Sequence, residues 1–536
     1  MKRSWNALLL SLSLILVPTA AWSESLKNTS TRNSSSTVEG STEQDSKDSE
    51  QEEVPVDNDK KAPDPLQQRI KKLIPDLTQE ESNKLATLIK ADKLYQAGKK
   101  QKAKQLYQQA KVSFQPDKQQ TSRNPYTDVA TLPPGGKVYW EYGQGEFDPK
   151  LQSKTLSPLK LLVKKHPDFI PGHIRYAEAL IYFDQTKQAV THLETAVSRY
   201  PQQVTLLETL LPLYEEREQW LDASLTARRF ALLNPEHSKA EHYQTLADNH
   251  LENYQSKLRA KLRENTFASA ITGALSYALT GNLAGPFSAI ESASLLLQGE
   301  SKVGDKLSNN LEEKLPLLED EEVKQYVAEM GQNLTRYTGR DSFDYEFHIV
   351  MDENLNAFAL PGGKVFINAG AILKTKSEAE LAGLVAHEIS HAVLSHGFQL
   401  VTEGNLLANV SQFVPLGGTA ANLIVLNYSR DMERQADELG TRLLASSDYA
   451  ADGMYHLMTT LQEEKKNQSR PPAWLSTHPE IGERVNNLKT QIVENGYDRY
   501  TYEGVSQHKK IKEKVAKLLA KHQLEEEKDN DEEETD

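Results

Sequence analysis

Pro167, Pro201 and Pro235 stand 34 residues apart, twice in succession. A fixed period of that length confines a chain to repeated supersecondary units, because one unit alone cannot bury its apolar face. Ala189 and Ala223 recur at one phase of the period, and Tyr-, Leu- and Ala-rich helical patterns fill the spaces between. The spacing predicts antiparallel helix pairs over residues 66–260, with small residues where helices cross. Ala91, Gly98, Ala103, Tyr107 and Ala110 suggest a further unit ending near Pro116. Residues 133–148 (PPGGKVYWEYGQGEFD) interrupt the array and fit no unit. Such an array is either a concave surface for partners or an all-helical spacer.

The array resembles tetratricopeptide repeats, an α-solenoid that would take up less than half of the 536 residues. Ahead of it, Lys2 and Arg3 precede an apolar run from Ala7 to Val17, then Pro18 and the small-residue site Ala21-Trp22-Ser23. This is the build of a signal peptide over 1–23, with an uncleaved anchor as the alternative, so the chain is expected to be exported and periplasmic or otherwise extracytoplasmic. Residues 24–65 have too few apolar side chains to offset ordering and read as a disordered linker. The net charge of −14 leaves no basic surplus for nucleic acid. Absence of cysteine excludes disulfides, thiol catalysis and zinc ribbons. Residues 261–298 are apolar, with Glu291 the single charge from Thr266 to Gln298, but Gly281-Asn282 and Gly285-Pro286 divide them. They read as two small-residue helices packed on the following domain rather than a membrane hairpin; membrane contact is compatible with the sequence but not demanded by it.

From about Gly299 to residue 500 the pattern changes. Leu315 to Tyr337 has helical spacing; Tyr345–Met351, Asn356–Leu360 and Lys364–Asn368 read as strands, the last two joined by Pro361-Gly362-Gly363. Ser377 and Glu380 form a capping box opening a helix that carries His387-Glu388-Ile389-Ser390-His391. Two histidines four apart lie on one helical face and can grip one metal ion, with Glu388 placed to take a proton from a neighbouring water. Leu381, Leu384, Val385, Ile389 and Val393 supply its apolar face. A third protein ligand is required. His396 points well round the helix from His391 and reads as a neighbour of the site or a surface residue. Glu433 and Asp437 are one turn apart with small Ala436 between. Glu433 could complete a His-His-Glu set, and Asp437 could accept the free N–H of a ligand imidazole. The same spacing serves an exposed acidic face paired with Arg430 and Arg434. Residues 405–427, apolar and broken by Pro415-Leu416-Gly417-Gly418, are long for a connection and read as a cleft cover or a membrane-touching loop. After residue 500, Ile511–Leu524 reads as a short charged helix and Glu525–Asp536 as an unstructured acidic tail.

The run Asn356-Ala357-Phe358-Ala359-Leu360-Pro361-Gly362-Gly363, then His387-Glu388-x-x-His391, Glu433-x-x-Ala436-Asp437, and Thr477-His478-Pro479 with Arg484 resembles the zinc endopeptidases of the CAAX prenyl protease and HtpX type. It is most similar to their exported branch, associated with β-barrel assembly, whose tetratricopeptide repeats lie on the C-terminal side; here they come first. The resemblance spans roughly Gly299 to Asn495. It implies an α+β zincin-type domain with a small sheet, in a mostly α chain. It further implies one zinc ion per chain, held by His387, His391 and Glu433 in a gluzincin-like set. Glu388 would be the general base, Asp437 the partner of a ligand imidazole, and His478 a gating ligand or oxyanion stabiliser. Arg484 would hold the His478 loop or meet a charged intermediate. The strand of Asn356, Ala357, Phe358 and Ala359 would pair with extended substrate. The implied function is metalloendopeptidase action on unfolded or misassembled envelope proteins, with outer-membrane assembly machinery as a partner of the repeats. The alternative is a periplasmic chaperone in which proteolysis is secondary.

Overall fold

The computed structural model describes residues 64–114, 125–263, 289–402, 414–416, 419–421, 428–467, 472–478 and 481–533. The expected signal peptide, nearly all of the expected linker, most of the apolar segment 261–298, most of 405–427 and Pro479 lie outside these residues. Among the described residues no helix is long and apolar enough to cross a membrane.

The first half is helical: α1 (Pro65–Leu73), α2 (Gln79–Gln96), α3 (Lys100–Ala110), α4 (Pro134–Gln144), α5 (Gln152–Lys165), α6 (Ile170–Tyr182), α7 (Thr186–Arg199), α8 (Val204–Glu216), α9 (Trp220–Leu233) and α10 (Ala240–Arg263). From α5 to α10 each helix packs on its chain neighbour. Ala177, Ala189, Ala223, Ala227 and Ala247 are buried in the core they share, where small side chains allow close approach. The stretch that fits no repeat contains α4, which starts with Pro134 in its first turn, where a missing N–H is harmless, and packs on α5 and α6. The buried face of the α2–α3 pair meets Tyr500 and Val505 near the C-terminus. Asp92 fixes that meeting by accepting from the backbone N–H groups of Glu503 and Val505, at 2.9 and 3.0 Å.

The second half opens with α11 (Ala289–Gln298), α12 (Glu300–Glu312) and α13 (Glu321–Thr335). The helical spacing of 315–337 holds only from Glu321. Asp320 caps α13 by accepting from the N–H groups of Glu322 and Val323, and the residues before it pair with the end of a strand instead, Leu318 N–H donating to Ile349 C=O at 2.8 Å. The sheet contains β1 (Glu346–Val350), β2 (Ala357–Leu360) and β3 (Lys364–Asn368) in the order β1-β3-β2. β1 runs parallel to β3 and β2 antiparallel, so β2 is an edge strand. Gly362 and Gly363 make the tight connection at φ +77° and +95°, a region glycine enters without steric cost.

There follow α14 (Ala369–Lys374), α15 (Glu378–Val393), α16 (His396–Thr402), a short hairpin β4 (Val414–Leu416) and β5 (Thr419–Ala421), α17 (Arg430–Ser446), α18 (Gly453–Asn467), α19 (Trp474–Thr477), α20 (Ile481–Glu494) and α21 (Val505–Glu533). The chain is thus mostly helical with a small sheet. The acidic C-terminal stretch expected to be unstructured continues α21 as far as Glu533. Two things carry it: a stripe of Ile511, Val515, Ala516, Leu519 and Ala520 buried in the main core, and Arg69 of α1 paired with Glu527 at 2.6 Å.

α15 is buried on every side, and its crossings with α17 and α18 depend on glycine. A Cβ on Gly383 would lie 2.7 Å from the backbone nitrogen of Met454. Gly383→Ala is therefore expected to cost about 1–3 kcal/mol through overpacking; an unchanged denaturation midpoint would contradict this reading of the crossing.

Candidate metal centre

Ser377 Oγ caps α15 by accepting from Glu380 N–H at 3.2 Å. The reciprocal half of the expected capping box is displaced by one residue, since the Glu380 carboxylate takes the N–H of Lys376 at 2.8 Å. Ser429 caps α17 through Met432 N–H at 3.2 Å, so Glu433 and Asp437 fall in its first two turns. The packing of α15 on α17 brings the two pairs of side chains together. A third element, α19, delivers His478 directly after its last turn, where His478 N–H donates to Trp474 C=O at 2.9 Å.

His387, His391, Glu433 and His478 converge, all buried. His391 Nε2 lies 3.1 Å from His387 Nε2, and His478 Nδ1 lies 3.2 Å from His387 Nε2 and 2.9 Å from Glu433 Oε1. The Glu433 oxygens stand 3.4 and 3.5 Å from His391 Nε2 and His387 Nε2. Donor atoms around a tetrahedral ion with bonds near 2.1 Å are separated by roughly 3.4 Å. Three imidazole nitrogens and one carboxylate oxygen at these separations fit such an ion.

The charges around the cluster are balanced in detail. Arg484 Nε and Nη2 donate to the two oxygens of Asp437, both at 2.7 Å, and Nη1 stands 2.6 Å from Glu433 Oε2. Burial opposes ionisation of Glu433, but the charges of His478 and Arg484 outweigh it and hold the carboxylate well below its ordinary range. Asp437 is lowered in the same way, burial again being overcome by Arg484. Asp437 Oδ1 also stands 3.0 Å from His387 Nδ1. Burial disfavours a charged His387, yet hydrogen bonds to Asp437 and Glu433 push it up to about 9, whereas burial lowers His391 to about 3. A divalent ion held by these nitrogens would compete with the proton on His387.

Glu388 points to the same spot. Trp474 Nε1–H donates to Glu388 Oε1 at 2.9 Å, and His478 Nε2 is 3.5 Å from that oxygen. Glu388 Oε2 is buried with no hydrogen-bond partner among the described residues. The indole of Trp474 stacks on the His478 ring with centroids 4.2 Å apart, and Tyr428 stacks on His391 at 3.7 Å.

The structure thus brings together His387, Glu388, His391, Glu433, Asp437 and His478. Neither Glu433 nor Asp437 is on an exposed acidic face; both are buried. Arg484 is buried against the two carboxylates and not on a face open to substrate. Ala357, Phe358 and Ala359 lie on the edge strand β2, with Asn356 just before it, its C=O accepting from Asn368 N–H at 3.0 Å. Sequence reasoning missed Trp474, Tyr428 and Gln435. The one available signal was Trp474 standing four residues ahead of His478, which places the two rings on one side of a short helix. His396, left between neighbour and surface, is fully buried, with Nδ1 3.1 Å from His391 Nδ1.

Residues 318–492 match the sequence profile of peptidase family M48. The chain carries an M48 peptidase domain. Over 215 residues it is 29% identical to a putative beta-barrel assembly-enhancing protease of Vibrio cholerae, covering 37% of this chain and 44% of the relative. It is 24% identical over 234 residues to the beta-barrel assembly-enhancing protease of Escherichia coli, covering 39% and 48%. It is 26% identical over 185 residues to the mitochondrial metalloendopeptidase OMA1 of Schizosaccharomyces pombe, covering 33% and 55%. The chain therefore spans about half the length of each of these relatives.

Arg484 offsets two buried carboxylates in that domain. Arg484→Met, close to isosteric, is expected to destabilise the metal-free protein by about 3–5 kcal/mol, because it leaves buried charge uncompensated. Chemical denaturation in the presence of a chelator checks this; a midpoint within error of the parent would contradict it.

Proposed function

We propose that this chain is an exported zinc metalloendopeptidase that cuts unfolded or misassembled envelope proteins, with the helical array as its partner-binding part. The observation that carries the reading is the convergence of His387, His391, Glu433 and His478 beside a buried carboxylate, Glu388, inside an M48 domain. His387, His391 and Glu433 would hold the ion. When bound, zinc polarises a peptide carbonyl and makes a water acidic enough to lose a proton near neutral pH. Glu388 receives that proton and returns it to the leaving amine. Asp437 holds the His387 ring in orientation, and Arg484 holds both carboxylates. The edge of β2 away from β3 would offer backbone N–H and C=O groups to an extended chain, a mode that reads main chain more than side chain and favours unfolded substrate.

The resting arrangement is closed in this reading. His478 would occupy the position a substrate carbonyl needs, and the indole N–H of Trp474 holds one of the two Glu388 oxygens. Both groups belong to one short segment, Trp474–His478, which is tied to the residues just ahead of β2 by Trp474 N–H donating to Leu355 C=O at 3.4 Å. In this reading, substrate pairing along β2 would favour withdrawal of the plug. The closed state also favours a second reading, a periplasmic chaperone or assembly factor in which cleavage is infrequent. The beta-barrel assembly-enhancing name of the relatives suits either role, as does extracytoplasmic location.

Purified protein is expected to hold one zinc per chain and to digest an unfolded model substrate until a chelator is added. Glu388→Gln should keep the zinc and lower the rate at least 100-fold, as loss of a positioned general base does. Zinc binding without digestion by the parent would leave the chaperone reading. Trp474→Phe keeps the ring stack but frees Glu388 and should raise the rate severalfold; a rate at or below the parent would contradict the plug.

A further inference from the structure

Ser198, in the last turn of α7, stands 237 residues from Gln435 in the chain and touches it in space. The Gln435 amide Nε2 donates to Ser198 Oγ at 2.8 Å and faces the Ser198 C=O at 3.4 Å. A carbonyl only accepts, so the amide nitrogen must point toward α7 and Oε1 must point away. That oxygen lies 3.0 Å from His396 Nε2. His396 therefore carries its proton on Nε2 and leaves Nδ1 as an acceptor. His396 Nδ1 lies 3.1 Å from His391 Nδ1, so His391 must carry its proton on Nδ1. Its Nε2 is then a lone pair, and Nε2 is the atom that faces His387, Glu433 and the site of the ion. Every link has one donor and one acceptor, and each choice is forced by the link before it. His396 and Gln435 are both buried, so water does not compete.

We propose that Ser198, Gln435 and His396 form a relay that fixes the tautomer of His391 for metal binding, making Gln435 and His396 positioning residues of the metal centre and α7 of the helical array its anchor. The inference rests on the metal-centre reading above. His387 gets its tautomer from Asp437, a neighbour on the ligand helix α17. His391 gets its tautomer from outside the M48 domain. Other contacts fasten the array to the same place: Arg229 donates to Leu394 C=O at 2.8 Å, Gln202 to Glu438 at 2.8 Å, and Arg442 to the C=O groups of Leu232 and Leu233 at 2.6 and 2.9 Å. A partner that shifts α7 against α17 would therefore loosen the His391 tautomer as well as move a surface.

The test is zinc affinity by chelator competition, together with the visible spectrum of the cobalt-substituted protein. Gln435→Leu keeps volume but removes the acceptor for His396. Zinc affinity should fall 10- to 100-fold, as is usual when a ligand imidazole loses its partner, and the cobalt spectrum should shift. His396→Asn places an amide oxygen where Nδ1 was, accepting from His391 without help from Gln435. It should bind zinc near the parent's affinity, and adding Gln435→Leu to it should change little. If Gln435→Leu binds zinc like the parent, or costs the same with Asn at 396 as with His, the relay is overturned and the residues are packing alone. A parent that takes up no zinc overturns the metal-centre reading and this inference with it.

Discussion

The burial of two carboxylates against one guanidinium is the constraint from which the rest of the site follows. Glu433 and Asp437 lie in the interior beside His387 and His391, where an unpaired charge would cost several kcal/mol. Arg484 touches both carboxylates, and the His387 ring nitrogens face the same two groups. Three helices must therefore meet at fixed distances: α15 with the imidazoles, α17 with the carboxylates, α20 with the arginine. Gly383 and Gly440 thin the crossings of α15 and α17 with their neighbours until this is sterically allowed. The polar cluster is thus a registry device as well as a site.

The local parts of this arrangement were legible in the sequence. His387 and His391 share a helical face by spacing alone, and Ser377 announces the helix that carries them. β3 occupies the residues its pattern indicated, and β1 and β2 lie within theirs. The long-range parts were not. Nothing local distinguishes a buried Glu433 from an exposed one, because its partners come from α15, α19 and α20; the family resemblance supplied what spacing left open. Residues 315–320 carry helical spacing, yet Leu318 serves a strand end, since Asp320 caps the helix after it. The acidic C-terminus looks disordered by charge, but a buried stripe upstream and Arg69 from the far end of the sequence hold it helical. His396 could not be placed because its partner, Gln435, is itself fixed from α7.

The helical array and the M48 domain are joined by hydrogen bonds that reach beneath the metal ligands as well as across a surface. Gln435 faces α7 on one side and His396 on the other, and Arg229 from α9 caps the C-terminal end of α15. On the opposite side of the cluster, α19 closes the site with a ring stack and one indole hydrogen bond. Two of the three elements, α15 and α17, pack on each other directly, and the third, α19, is a single short turn. That division suits the function proposed above, in which α19 would move aside for an extended chain.

The most direct measurement is X-ray absorption at the zinc edge of the parent and of His478→Ala. The account predicts a first shell of nitrogen and oxygen only, near 2.0–2.1 Å, with scattering from three imidazoles in the parent and two in the variant. A parent shell with one imidazole or none would contradict it, as would identical spectra for the two proteins.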